Sequence, residues 1–121
     1  MPYVDGFVIP LSKKNLATYR RVARQAGKVW MEHGALEYRE CVGEDLPAKP
    51  TMGRAFTKVA AAKPGETVVF SWIVYKSRAH RDRVNAKVMK DPRIAAMMEA
   101  AGMAFDGKRM AYGGFETIVD L

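Results

Sequence analysis

Thr67 to Tyr75 reads TVVFSWIVY and leads through Lys76-Ser77 into the polar cluster Arg78-Ala79-His80-Arg81-Asp82. These nine residues form the longest stretch of the chain without a charged side chain. They are β-branched or aromatic for the most part, so they predict a strand, and their near-continuous apolarity predicts burial on both faces. Pro64-Gly65 supplies the turn before the strand. Ser77 predicts an N-cap for a helix reaching about Lys90.

Upstream, Tyr3 to Ile9 (YVDGFVI) alternates as a strand that Pro10 should end. Tyr3, Asp5, Phe7 and Ile9 share one face, with Val4, Gly6 and Val8 on the other. Ser12 is the expected cap of a helix to about His33. Its apolar stripe is Leu16, Tyr19, Ala23, Ala26 and Trp30, widened by Val22 and Val29, and Gly34 is its stop. Ala35 to Val42 alternates as a second strand with Leu36, Tyr38, Glu40 and Val42 on one side. Gly43 to Arg54 is an irregular connection, and Phe56 to Ala62 fits a strand or a short helix. Downstream, Asp91-Pro92 starts a short helix to about Ala101, Asp106-Gly107 makes a turn, and Met110 to Val119 is the last strand. Gly113-Gly114 in it permits a bulge or close packing.

The order β-α-β-β-α-β with one helical insert predicts an α+β, ferredoxin-like sandwich with an antiparallel sheet, as one domain over residues 1–121. Such a sheet carries helices on one face and leaves the other to be covered. Pairing two sheets in a homodimer would cover Phe70, Trp72 and Tyr112, whose exposure would be costly.

Bulk properties narrow the classes. The chain has 121 residues, 49% hydrophobic and 27% charged, which excludes a collagen, a low-complexity segment and a multidomain enzyme. One cysteine, Cys41, excludes an intrachain disulfide and fits a reducing compartment. No stretch approaches the roughly 20 apolar residues of a membrane span, and the N-terminus lacks the pattern of a secretory signal, so a cytoplasmic location is the expectation. Net charge is +7. Lys13 to Lys28 holds six basic and no acidic residues, and Lys76 to Arg93 holds seven basic residues against Asp82 and Asp91. Such faces attract nucleic acid or other anions, or are simply solvated.

Dinucleotide, P-loop, GxSxG and CxxC motifs are all missing, and two histidines argue against a native metal site, so no metal or cofactor is expected. His33, at a helix C-terminus, is a general base or a capping residue. His80, in the first turn of its helix, should have a lowered pKa, and serves as a proton acceptor or as a hydrogen bond at the strand–helix corner. Asp5 and Glu40 stand out as carboxylates inside strands, which must be paired if buried. Arg78 and Arg109 are candidate anion holders, or members of ion-pair networks. Tyr38, Trp72 and Tyr112 are candidates to line an apolar pocket, or are packing residues.

VWMEHGALEY (Val29 to Tyr38), FSWIVYKSRAHRDRVNAKVMKDPR (Phe70 to Arg93), FDGKRMAYGGF (Phe105 to Phe115) and the opening YVDGF together resemble the YbaA-like bacterial family of unknown function. Ala104 departs from the proline that the family pattern would place before Phe-Asp-Gly. The resemblance implies a dimeric α/β-barrel in which two ferredoxin-like units face their sheets together, and it brings no catalytic residues. The wider superfamily includes cofactor-free monooxygenases, isomerases, ligand-sensing domains and haem enzymes, so fold analogy leaves enzyme and binder both open.

Together these readings favour a homodimer holding a small, partly aromatic or anionic molecule in a barrel pocket. Tyr38, Trp72 and Tyr112 would contact it, Arg78 or Arg109 would hold an anion, and Asp5, His80 or His33 would move a proton in cofactor-free proton transfer or oxygenation. The rivals are a nucleic-acid-binding protein using its basic helix faces and a purely structural dimer.

Overall fold

The computed structural model describes all residues 1–121. Its elements are β1 (Tyr3–Ser12), a 3-10 turn (Lys13–Asn15), α1 (Leu16–Glu32), β2 (Glu37–Val42), α2 (Phe56–Val59), β3 (Glu66–Tyr75), α3 (Arg78–Lys90), α4 (Ile94–Ala104), a second 3-10 turn (Gly107–Arg109) and β4 (Ala111–Glu116). The sheet order is β2-β3-β1-β4 with every neighbouring pair antiparallel, the ferredoxin-like arrangement that the element order predicts. No helix is long and apolar enough to cross a membrane.

Register sorts the side chains. β1 pairs Asp5 with Ile73, Phe7 with Ser71 and Ile9 with Val69, while β2 pairs Tyr38 with Ile73 and Glu40 with Ser71. All of these lie on the face that α1, α3 and α4 cover. Val29, Val84, Val88 and Ile94 close over Ile73 and Tyr75 at one end, and Tyr19, Ala23 and Ala104 close over Ile9, Leu11 and Val69 at the other. The opposite face carries Val4, Val8, Phe70, Trp72, Val74 and Phe115, together with Glu37, Arg39 and Cys41 of β2.

β3 is therefore not buried on both faces. Its helix-side residues Thr67, Val69, Ser71, Ile73 and Tyr75 are buried, but Phe70 is 45% exposed and Phe115 of β4 is 61% exposed, because α1, α3 and α4 all lie on the other side. The Gly43–Ala62 connection covers only one end of it: Val68 is buried, and the ring of Phe56 on α2 meets that of Phe70 edge-on at 6.0 Å.

Pro10 does not end β1, which runs on to Ser12 with Pro10 paired to Val68. On the other side of β1 the last partner is Ala111 opposite Val8, so beyond that point β1 is an edge and a missing N–H costs no ladder bond. Ser12 makes no capping bond, since a 3-10 turn intervenes before α1. The Ser77 hydroxyl does cap α3, accepting from the His80 N–H at 3.1 Å. Gly34, with φ of +113°, ends the α1 turn in the left-handed region that glycine tolerates. Asp91 begins a tight turn by accepting from the Arg93 N–H at 3.0 Å, so α4 starts at Ile94 rather than at Pro92.

Candidate site between the sheet and α1

A cavity of about 370 Å³ lies between the helix-covered face of the sheet and α1 and α4, within the size range of small-molecule sites. Of its 21 lining residues, 16 are hydrophobic, among them Phe7, Val22, Trp30, Ile73, Met97 and Phe105, so its interior favours an apolar body. α1 contributes through the stripe at three- and four-residue spacing. α4 contributes Met97 and Met98, flexible side chains that adapt to irregular shapes.

One polar constellation sits in the wall. Glu40 on edge strand β2 accepts a hydrogen bond from the Tyr19 hydroxyl at 2.7 Å and one from the Tyr38 hydroxyl at 2.8 Å, one on each carboxylate oxygen. Burial first, and the neighbouring Glu40 carboxylate second, push both phenols above their ordinary value, so both remain protonated donors. Tyr38 reaches this position because α1 has no side chain at Gly27. A Cβ there would stand 2.7 Å from the ring, so the phenol lies flush against the helix.

The predicted residues disperse. Tyr38 lines the cavity. Trp72 borders it from β3, but its indole belongs to the opposite sheet face, where Nε1 donates to Glu37 Oε1 at 3.1 Å. Tyr112 stacks on Phe7 with ring centroids 6.1 Å apart, yet it is 72% exposed on short β4 and lies outside the cavity lining. Arg109 is committed elsewhere: it donates to both oxygens of Glu66 at 2.7 and 2.8 Å and to the Ala61 carbonyl at 2.9 Å. That fork holds the Glu66 carboxyl down at about 2. Arg78 is exposed at the start of α3, away from the cavity.

The candidate proton carriers also stand apart. His33 Nε2 lies 2.9 Å from Asp91 Oδ2, and Arg93 joins the same carboxylate to Glu32, which fastens the end of α1 to the α3–α4 corner. His80 accepts the Lys76 N–H on Nδ1 at 3.0 Å, fixing the strand–helix corner. Burial, with Lys76, Arg83 and Lys87 nearby, moves its pKa down.

Asp5 is buried on the helix side of β1. Its Oδ1 lies 3.3 Å from Arg81 Nη1, and Asn85, itself bonded by Trp30 and Tyr75, approaches its Oδ2. Burial pushes the Asp5 carboxyl up, with Arg81 opposing. The buried Asp5 is thus paired, by Arg81 of α3. Tyr19 and Glu40 carry the cavity's polar chemistry instead. Their signals in the sequence were a tyrosine within an apolar helical stripe and a carboxylate within a strand.

Comparison with known proteins agrees with this architecture. A variant of SnoaB, a cofactor-independent oxygenase from Streptomyces nogalater, matches with a TM-score of 0.64 at 10% identity, covering 99% of this chain and 96% of that one. A dimeric ferredoxin-like protein from an uncultured marine organism matches at 0.61 and 12% identity over 100% of both chains. A NIPSNAP domain protein from Burkholderia xenovorans matches at 0.60 and 11%, covering 95% of this chain and 93% of that one. At these identities the likeness is one of fold. In sequence, the uncharacterized protein YbaA of Escherichia coli strain K12 is 46% identical over 121 residues, covering 99% of each chain. The family model described as a protein of unknown function, DUF1428, matches residues 2–107, and the chain belongs to that family.

Proposed function

We propose that the chain works as a homodimer in which each protomer takes up a small ring-containing molecule between its sheet and helices, with Glu40 placed to exchange a proton with it. The observation that carries this reading is the apolar cavity with one carboxylate, held by two phenols, in its wall. Glu40 is the cavity's side chain suited to act as a base, and its geometry is set before any ligand arrives. One structural neighbour, a dimeric ferredoxin-like protein, supports the assembly, and another, a cofactor-independent oxygenase, supports the class of chemistry.

The homodimer is supported by the open sheet face, where Phe70 and Phe115 would otherwise stay in water. Native mass spectrometry of gently purified protein, repeated under denaturing conditions, tests both parts. A dimer carrying a releasable aromatic adduct is expected. A monomer overturns the assembly. A dimer that takes up no aromatic compound from a panel overturns the cavity reading and leaves the purely structural dimer. Glu40→Gln should keep binding and lose turnover if proton exchange is the function.

Nucleic-acid binding by the basic helix faces draws its support from Lys13, Arg20, Arg21 and Arg24, none of which has an acidic partner. It predicts retention on a polyanion column that falls steeply with salt. The α3 side supports it less, because Arg81 and Arg93 are held by Asp5, Asp82, Asp91 and Glu32.

A further inference from the structure

A groove of about 1100 Å³ runs outside the cavity, between α1 and the edge strand β2. Lys13, Arg20, Arg21 and Arg24 line it, and no hydrogen bond or ion pair within the chain engages their side chains. Its one acidic residue is Glu40, whose two oxygens are already taken by Tyr19 and Tyr38. Four cations therefore face one carboxylate, and the net positive charge of the groove draws anions.

Groove and cavity share a wall: Tyr19, Ala23, Tyr38 and Glu40 line both. The wall between them is made by the Tyr19 and Tyr38 rings and the Glu40 carboxylate that joins their hydroxyls. Glu40 is exposed on an edge strand, so the wall is thin at this point and borders solvent on the groove side. An anionic group is disfavoured inside, where the lining is apolar apart from Glu40 and Arg39, and Arg39 is turned to the opposite sheet face, where it donates to Glu37.

We propose that the cavity takes an amphiphilic anion, whose apolar ring or chain lies between sheet and helices while its carboxylate, sulfonate or comparable group lies in the groove against Arg20 and Arg24. This inference rests on the cavity reading above and adds the ligand's charge and orientation to it. Tyr19, Glu40 and Tyr38 mark the boundary between the apolar and the anionic parts of the ligand.

The test uses two fluorescent probes with the same rings: anilinonaphthalene sulfonate, which is anionic, and phenylnaphthylamine, which is not. Each is titrated into the wild-type protein, the double variant Arg20→Gln/Arg24→Gln, and the cavity-filling variants Ala26→Phe and Ala101→Leu. Two filling variants guard against misfolding of either. Filling the cavity should weaken both probes. Removing the two exposed charges should weaken the sulfonate roughly five- to twenty-fold, the product of two partly exposed charge contacts, and leave the uncharged probe within about twofold. The uncharged probe also reports that the double variant is folded.

If the sulfonate binds the double variant as it binds wild type while the filling variants lose both probes, the groove has no role and the cavity reading stands. If neither probe binds, or neither responds to filling, the cavity reading itself fails. A short single-stranded RNA that displaces the sulfonate in an Arg20- and Arg24-dependent way would instead reassign the groove to nucleic acid.

Discussion

Gly27 is a buried glycine in the middle of α1, and Gly102 lies in α4; changing each to alanine separates two effects that are usually mixed. Alanine is favoured over glycine in a helix by about 1 kcal/mol at either site. At Gly102 an added Cβ meets nothing within 4 Å, so Gly102→Ala should realise most of that gain. At Gly27 the Cβ would stand 2.7, 2.8 and 3.3 Å from three ring carbons of Tyr38. The ring has little freedom to yield: its hydroxyl is held 2.8 Å from Glu40, and Trp30 packs beside it with centroids 6.4 Å apart. Overpacking of this kind costs about 1–3 kcal/mol, which cancels or exceeds the propensity gain. Gly27→Ala should thus range from neutral to about 2 kcal/mol less stable than wild type. Because the propensity gain is common to both variants, the gap between them should be about 1–3 kcal/mol, several degrees in Tm for a domain of this size. Urea and thermal melts followed by circular dichroism measure it. Equal stabilisation by both substitutions would refute the close seating of Tyr38 on α1, and with it the geometry of the Tyr19–Glu40–Tyr38 wall.

Arg109→Gln should destabilise most above about pH 5, because Glu66 has its pKa lowered from 4.5 to about 2 and stabilises the fold only while ionised. Its difference from wild type should shrink as pH falls from 4.5 toward 2, and a constant difference in acid titrations of Tm would contradict the pairing. Asp5 has the opposite sign: its folded pKa is raised, so its contribution is present below the ordinary carboxylate range and lost as pH rises through the raised value. Asp5→Asn should therefore gain on wild type as pH rises above the ordinary carboxylate range, with Arg81 and Asp82 as the charges facing the site; a pH-independent difference would refute it. Leu11→Ala, at a side chain only 1% exposed against Ile9 and Val69, should cost about 2–5 kcal/mol in urea denaturation, and a loss under about 1 kcal/mol would deny its place in the core. Phe70→Asp should yield a folded monomer by light scattering if the open sheet face is the dimer interface; a folded dimer would move the interface elsewhere.

What could be read from the chain alone follows from which contacts are local. TVVFSWIVY, the α1 stripe and the Ser77 cap are local patterns, and they place the strands, helices and element order. The partner of Arg109 is not local: Glu66 lies 43 residues away, whereas Asp106, the acid nearby in sequence, accepts the Lys108 N–H instead. Pro10 misleads for a related reason, since its tolerance depends on how far β4 extends along β1. Gly27 reads as a helix flaw until Tyr38 is placed against it.

The candidate site depends on the hardest feature to read, the register of β2 against β3. Strand alternation alone puts Tyr38 with Glu40, and Phe70 with Trp72, but it does not say whether those two sets share a face. The observed pairing of Tyr38 with Ile73 separates them, sending Tyr38 and Glu40 toward α1 and Trp72 toward the open side. A slip of one residue would exchange the sets, bringing Glu37, Arg39 and Cys41 under the helices and leaving the cavity without its phenol and carboxylate. Three contacts oppose that slip. The Leu36 N–H donates to the Val74 carbonyl at 2.8 Å just before β2, the Gly43 N–H donates to the Val68 carbonyl at 2.8 Å just after it, and the Tyr38 ring fills the space left by Gly27. The glycine that weakens α1 by propensity is thus part of what fixes β2 in register, so the helix defect, the strand pairing and the polar wall of the cavity form one structural feature.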